Sequence, residues 1–446
     1  MSDHVRRLAV RARQTSQALA VSEQTRNQAL EAIARAMEAQ KEKILAANAR
    51  DMEAGKGLIA KGELDMPLLK RLDLSGRKFA GTVEMVRSVA AQPDPLGQTQ
   101  SATELDYKLH LYRVTVPIGV IGVIFESRPD ALVQIASLCL KSGNAVLLKG
   151  GREATATNQA LAEVLVEATR GIEGIPEGWM ALLEGREEVR ALLDMEGLVD
   201  LIIPRGSNEF VQYIMHNTKI PVMGHADGIC HVYVDESADI DKAVRIAVDS
   251  KTQYVAVCNA SETLLVHSGI AEAFLQRAVP ALAEKEVELR GDERTRELAK
   301  AAMQCHGQMT PASEEDWRTE YLDLILSVKI VDSLGEAVEH INEYSSHHTD
   351  AIVTEDRTAA RAFLSGVDSA SVMHNASTRF ADGFKYGLGA EVGVSTNRLH
   401  SRGPVGLEGL VIYKYILEGD GHVVDMYDGE EQRSFTHRKL DQRWEA

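Results

Sequence analysis

Two doubly wound α/β domains with an added β-hairpin element are the architecture this sequence predicts, and three observations carry that reading. Short apolar runs alternate with amphipathic helical stretches from Gly119 to His216, and the alternation resumes from about Asp235. The runs are continuously apolar, as in GVIGVIF and NAVLL, which is the pattern of parallel strands covered on both faces. The chain has 446 residues, 44% apolar and 26% charged, which is ordinary globular composition with length for more than one core and for about three domains.

The opening MSDHVRRLAVRARQTSQALA is rich in arginine and poor in acid, as organelle transit peptides are. The near-helical spacing of Val5, Leu8, Ala12 and Leu19 reads better as an amphipathic first helix of the folded body. Residues 21–50 continue helical, with Ser22 as N-cap and an apolar stripe through Leu30, Ile33, Met37, Ile44 and Leu45. Residues 92–103, with Pro93, Pro95 and Gly97, read as a linker, and residues 105–116 as an exposed strand or hairpin. Strands are then expected at 119–125, 145–149, 179–183 and 201–204, each followed by a helix, at 131–140, 154–169, 187–193 and 207–216. In the second half, helices are expected at 241–250 and 270–284, and strands at 262–267, 324–330 and 351–354. The tail VIYKYILEGDG reads as a strand that pairs with the hairpin or with a neighbouring subunit.

Composition excludes several functions. Lysine and arginine number 49 against 66 acidic residues, a net charge of −17, so nucleic acid and anionic membranes are poor partners and any anionic ligand needs a local basic pocket. No apolar run approaches the ~18 residues that span a bilayer. Cys139, Cys230, Cys258 and Cys305 form no CxxC pair, which points away from a zinc site or a disulfide framework and toward a reducing, cytoplasmic setting. His340, His347, His348 and Asp350 cluster in HINEYSSHHTDAI without HExxH spacing, so no metal site is expected.

Chemistry is expected at a few positions. Cys258, in QYVAVCNASETLLVH, lies in a loop between a helix and a strand, where a thiolate can meet a carbonyl and backbone N–H groups can hold an oxyanion. A lone cysteine is more often a buried structural thiol. Lys149 closes a strand and is followed by Gly150, Gly151 and Arg152, a place suited to a nucleotide ribose or phosphate, although a solvated lysine at a strand end reads equally well. Gly206 and Ser207 open a helix, as a pyrophosphate site or as an ordinary N-cap. No GxGxxG follows the first strand, so a dinucleotide would bind in another manner. GLGAEVGVST is a glycine-rich loop able to close over a ligand.

Taken together, GVIGVIFESRPDA, NAVLLKGG, PRGSNEF, QYVAVCNASETLLVH, HINEYSSHHTDAI and NASTRFADGFKYGLGAEVGVST resemble, in order and context, the γ-glutamyl phosphate reductases of the aldehyde dehydrogenase superfamily. The resemblance runs from the first helix to Lys414. It implies an aldehyde dehydrogenase-like fold: an NADP-binding domain (1–103 and 117–234), a catalytic domain (235–408), and a β-flap for oligomerisation with the tail (104–116 and 409–446). It also implies NADPH-dependent reduction of L-glutamyl 5-phosphate to the 5-semialdehyde with release of phosphate, a step of proline biosynthesis. A related reductase acting on another acyl phosphate or aldehyde is the alternative. The instability of the acyl phosphate makes a glutamate kinase a candidate partner, beside a second copy of the chain.

Carried over by position, Cys258 is the nucleophile, Lys149 the adenosine-ribose lysine, and Gly206 and Ser207 the pyrophosphate pair. Glu320 falls where relatives bind the nicotinamide ribose, though the surrounding motif differs. Arg152 replaces a glutamate of NAD-using relatives and suits a 2′-phosphate. Ser127 stands in place of an asparagine that helps the oxyanion hole. VMGHADG, with Gly224 and His225, lacks the carboxylate that activates hydrolytic water, which favours an acyl phosphate over hydrolysis to an acid. Arg128, Asn375 and Arg379 are the substrate-binding candidates.

Overall fold

The structure is a computed structural model that describes residues 2–62, 66–126, 128–206, 208–225, 227–303, 309–398, 400–428 and 432–445. The chain opens with helices α1 (Ser2–Ala18), α2 (Glu23–Ala39), α3 (Lys41–Ala60), α4 (Met66–Leu72) and α5 (Arg77–Ala91). Ser22 caps α2, its Oγ accepting from the Thr25 N–H at 3.2 Å. The continuous helix expected over 21–50 breaks at Gln40, whose ψ of 20° ends α2 and starts α3. Strands β1 (Thr99–Asp106) and β2 (Leu109–Pro117) form an antiparallel hairpin whose first arm begins inside the expected linker.

The first parallel sheet follows, as β3 (Val120–Phe125), α6 (Pro129–Lys141), β4 (Ala145–Lys149), α7 (Thr155–Thr169), β5 (Met180–Leu183), α8 (Arg186–Leu193), β6 (Leu201–Arg205) and α9 (Asn208–His216). Its order is β5-β4-β3-β6, and every residue of β3 and β4 is buried, as continuously apolar strands require. The sheet grows from β3 to one side through β4 and β5 and to the other through β6. That reversal opens a crevice at the carboxyl ends of β3, β4 and β6, where Phe125, Lys149 and Arg205 stand.

A second parallel sheet has seven strands. In chain order it comprises β7 (Cys230–Val234), α10 (Ile240–Thr252), β8 (Ser261–His267), α11 (Ala271–Ala283), β9 (Glu288–Gly291), α12 (Glu293–Met303), β10 (Thr310–Pro311), β11 (Ile325–Val331), α13 (Leu334–Tyr344), β12 (Thr349–Val353), α14 (Arg357–Gly366) and β13 (Ser371–His374). The spatial order is β10-β9-β11-β8-β7-β12-β13. Cys230, which sequence leaves ambiguous after a glycine turn, begins β7, so this sheet starts before residue 235. Beyond the small pair β14 (Val394–Ser395) and β15 (Gly403–Pro404), Ala390, Val392, Val405, Leu407 and Leu410 return to the first core. β16 (Val411–Glu418) and β17 (Arg438–Leu440) then complete an antiparallel sheet in the order β16-β2-β1-β17, so the tail pairs with the hairpin of its own chain.

Asn144, wholly buried, joins these layers. Its Oδ1 accepts from the Gly119 N–H at 2.8 Å, and its Nδ2 donates to the Leu410 carbonyl at 2.8 Å, fixing the entry to β3 against the start of the flap. Gly119 has φ of +132°, and a Cβ there would lie 2.2 Å from Asp200 Oδ2, which itself accepts from the Val120 N–H. Asn144→Ala leaves a buried donor and a buried acceptor unpaired, at about 1–3 kcal/mol each. A lower denaturant midpoint with unchanged slope is the expected outcome in equilibrium unfolding.

Candidate active site

Cys258 lies between α10 and β8, in a loop whose two ends are tied together from inside the protein. Lys251 Nζ, in the last turn of α10, contacts Glu262 Oε2, near the start of β8, at 2.5 Å, with both side chains fully buried. Burial pushes the Glu262 carboxyl up to about 7, against the pull of Lys251, and pulls the Lys251 ammonium down. Asn259 Nδ2 donates to the Ala381 carbonyl at 2.8 Å, and Arg71, from α4, reaches the Ala256 carbonyl at 3.0 Å. Gly228 presses on the backbone of Cys258: a Cβ added there would lie 2.2 Å from the Cys258 carbonyl oxygen and 2.3 Å from its Cα. The Cys230 thiol donates to that same carbonyl at 3.2 Å, and burial holds the Cys230 thiol well above its ordinary range.

The loop sits at the amino edge of the second sheet, beside the starts of β7 and β12, and half-exposed Cys258 has company there. Ligand atoms of His225, Cys258 and His348 all lie within 4.8 Å of one another. His225 bonds through Nδ1 to the Val394 carbonyl at 2.9 Å, and burial pulls its pKa down, keeping the ring neutral. His348 Nδ1 lies 2.8 Å from Thr349 Oγ1, while its buried Nε2 has no partner. Sequence reasoning notes both histidines without placing either beside Cys258. With Cys258 they form three segments, 33 and then 90 residues apart in the chain, and no local spacing records that meeting.

Arg205 is the second residue that the sequence did not single out. It ends β6, its Nη1 is buried without a partner, and it lies in electrostatic reach of Cys258, Arg128, Glu391 and Asp130. Burial weighs against its charge, yet a guanidinium stays protonated near neutral pH. Arg379 also lies in reach of Cys258 and donates through Nε to Gln253 at 3.0 Å. Glu391, in the glycine-rich loop, accepts from the Gly383 N–H at 2.8 Å and has its pKa raised by burial.

The expected cofactor positions divide. Lys149 is buried at the end of β4, and its Nζ donates to the Gly150 carbonyl, with Glu153 and Glu188 the nearby acids; burial pulls its pKa down. A Cβ at Gly150 would lie 2.1 Å from Asn158 Nδ2, so a side chain there requires Asn158 to shift. Arg152 follows in the crevice, exposed, and Gly206 lies against Glu126, whose Oε2 would be 2.7 Å from an added Cβ. Glu320 accepts from the Gly228 backbone N–H and feels His225 and Asp227, so it adjoins the Cys258 loop. Ser127, Ser207 and Cys305 lie outside the described residues.

Asn375 departs from expectation. At φ of +53°, its side chain accepts from the Thr354 N–H and donates to the Thr354 carbonyl, both at 3.0 Å. The amide is consumed in holding the turns after β12 and β13, which is a structural duty. His340 packs among Trp317, Tyr344 and His231, and His347 bonds the Asp368 carbonyl at 2.7 Å, so of the HINEYSSHHTDAI histidines His348 alone reaches Cys258.

The close approach at Gly228 yields a direct test. Gly228→Ala forces the Cys258 backbone to shift, an overpacking cost of about 1–3 kcal/mol. The expected outcome is a folded protein with an altered rate of Cys258 alkylation by iodoacetamide, measured by mass spectrometry.

Comparisons with known proteins agree with this geometry. The aldehyde dehydrogenase family pattern matches residues 2–301. A gamma-glutamyl phosphate reductase of Synechococcus sp. is 58% identical over 413 residues, covering 93% of this chain and 89% of its own. One from Pelotomaculum thermopropionicum is 56% identical over 434 residues and covers 97% of each chain. The crystal structure of the gamma-glutamyl phosphate reductase from Thermotoga maritima matches with a TM-score of 0.89 at 39% identity, over 94% of this chain and 99% of that one. With a thiol-bearing loop set against a crevice of this topology, and relatives this similar along nearly the whole length, the chain belongs to the aldehyde dehydrogenase family and, within it, to the gamma-glutamyl phosphate reductases.

Proposed function

We propose that this chain reduces L-glutamyl 5-phosphate to glutamate 5-semialdehyde with NADPH, releasing phosphate, and that Cys258 is the nucleophile. The observation that carries the reading is Arg205: a buried guanidinium with an unpartnered Nη1, in electrostatic reach of the thiol, suits a doubly charged leaving group. Arg128, in reach of Arg205, and Arg379, in reach of Cys258, add positive charge.

In the forward reaction the Cys258 thiolate attacks the acyl carbon, the C–S bond forms, and the C–O bond to phosphate breaks with its electron pair leaving on phosphate. Arg205 balances that charge as it develops, and the Cys258 backbone N–H stands beside the carbonyl oxygen. The residues of the crevice fit a dinucleotide: Lys149 at a strand end, glycines packed close against neighbouring side chains, and Arg152 for a 2′-phosphate. NADPH held there would supply hydride to the thioester carbon, and collapse of the resulting anion on Cys258 would expel the thiolate, giving the aldehyde and restoring the nucleophile. Glu320, tied to the Gly228 N–H, is the proposed partner of the nicotinamide ribose.

The same reading assigns the first sheet with its helices to the cofactor and the second to catalysis. The flap's open edge, with Tyr413, Tyr415 and Leu417 exposed on β16, supports pairing with a second copy of the chain. Among the described residues no helix is long and apolar enough to cross a membrane, and a free catalytic thiol suits a reducing cytoplasm.

The deciding experiment runs the reaction backward, with glutamate semialdehyde, NADP⁺ and inorganic phosphate. Turnover should require phosphate and vanish in Cys258→Ala; phosphate-independent turnover overturns the proposal. Arg205→Gln should raise KM for phosphate about 10- to 100-fold, the loss of a charged hydrogen bond, with KM for the aldehyde little changed. Arg152→Glu should raise KM for NADPH about tenfold while sparing NADH, read from initial rates with each cofactor.

A further inference from the structure

We infer that His225, Cys258 and His348 form a binding site for a thiophilic divalent cation, Zn²⁺ fitting best, which brakes the enzyme by capturing its nucleophile. The three ligand atoms already lie within 4.8 Å of one another. Tetrahedral zinc, at about 2.3 Å from sulfur and about 2.0–2.1 Å from nitrogen, needs them closer by about 1 Å, a distance that side-chain rotation covers.

Both imidazoles are prepared as ligands. The Nδ1 of His225 is held by the Val394 carbonyl, which places the ring proton there and leaves Nε2 with its lone pair. Thr349 occupies Nδ1 of His348, and the remaining Nε2 is buried with no partner, in a side chain wholly removed from solvent. The rings meet edge to face with centroids 4.9 Å apart, so neither blocks the other. A buried ring nitrogen without a partner, in a histidine that adjoins a thiol and a second imidazole, is costly unless something arrives to satisfy it.

The surrounding charges divide. Glu320 and Asp227 lie in reach of His225 and favour a cation, whereas Arg205 and Arg379, in reach of Cys258, oppose it. Affinity therefore rests on the Zn–thiolate bond, and a hard cation such as Mg²⁺ gains nothing here. Binding exchanges the S–H bond for a Zn–S bond and releases the proton to solvent, with no change of oxidation state. Cys230 does not compete, because its thiol donates to the Cys258 carbonyl and burial keeps it protonated.

The metal site stands on geometry; its action as a brake rests on the role proposed for Cys258. The test titrates the purified full chain with ZnCl₂ by calorimetry and with CoCl₂ by absorption. One equivalent should bind, with a thiolate-to-cobalt charge-transfer band. Cys258→Ser, or alkylation of wild-type Cys258 with iodoacetamide, should remove the band, and His225→Gln and His348→Gln should each weaken binding about tenfold or more. Phosphate-dependent turnover should fall in proportion to bound zinc and return on adding EDTA. Absence of equimolar binding, or binding unchanged in alkylated protein and in a His348→Gln variant of normal melting temperature, overturns the site. Stoichiometric zinc with unchanged turnover overturns the brake. Loss of wild-type phosphate-dependent turnover without metal would instead fail the proposed function, leaving the calorimetric result to judge the site.

Discussion

The buried ion pair between Lys251 and Glu262 is the constraint on which the active-site loop depends. It joins the last turn of a helix to the start of a strand and closes the base of the segment that carries Cys258. Both partners are pushed toward neutrality by burial, so the pair is held by its surroundings as much as by its own attraction. With the base closed, Gly228 can lie against the Cys258 backbone at a distance that excludes any side chain, and Cys230 can donate to the Cys258 carbonyl. The loop's backbone is thereby fixed from beneath and from the side, while its thiol stays half-exposed.

The two sheets meet in opposite senses. The first presents its carboxyl edge, where Lys149 and Arg205 end their strands, and the second presents its amino edge, where Cys258, Gly228 and His348 precede theirs. The crevice of the first sheet therefore lies toward the thiol-bearing loop of the second. The return of residues 390–410 to the first core closes one side, and Val394 in that segment anchors His225.

Electrostatics explains how a chain of net charge −17 can handle anions. Arg205 and Arg379 lie in electrostatic reach of one thiol, with Arg128 in reach of Arg205, and Arg205 stays charged despite its burial because a guanidinium holds its proton near neutral pH. A local field of that kind opposes the global one only at short range, which restricts anion binding to the crevice.

By itself, the sequence determined the α/β alternation, the parallel character of both sheets and the strand-end position of Lys149, because each is written in apolar periodicity and local turn chemistry. It also carried enough motif detail to single out Cys258 among four cysteines. Helices α12 to α14 and strands β9 and β13 escaped it, since short amphipathic segments look alike before burial sides are assigned. Asn375 has a residue type that suits a ligand, whereas only its φ and its bonds to Thr354 reveal the turn it holds. The tertiary structure alone decided that Arg205, His225 and His348 surround the thiol. Their neighbours come from strands far apart in the chain, and proximity across sheets is set by packing, which no local spacing encodes.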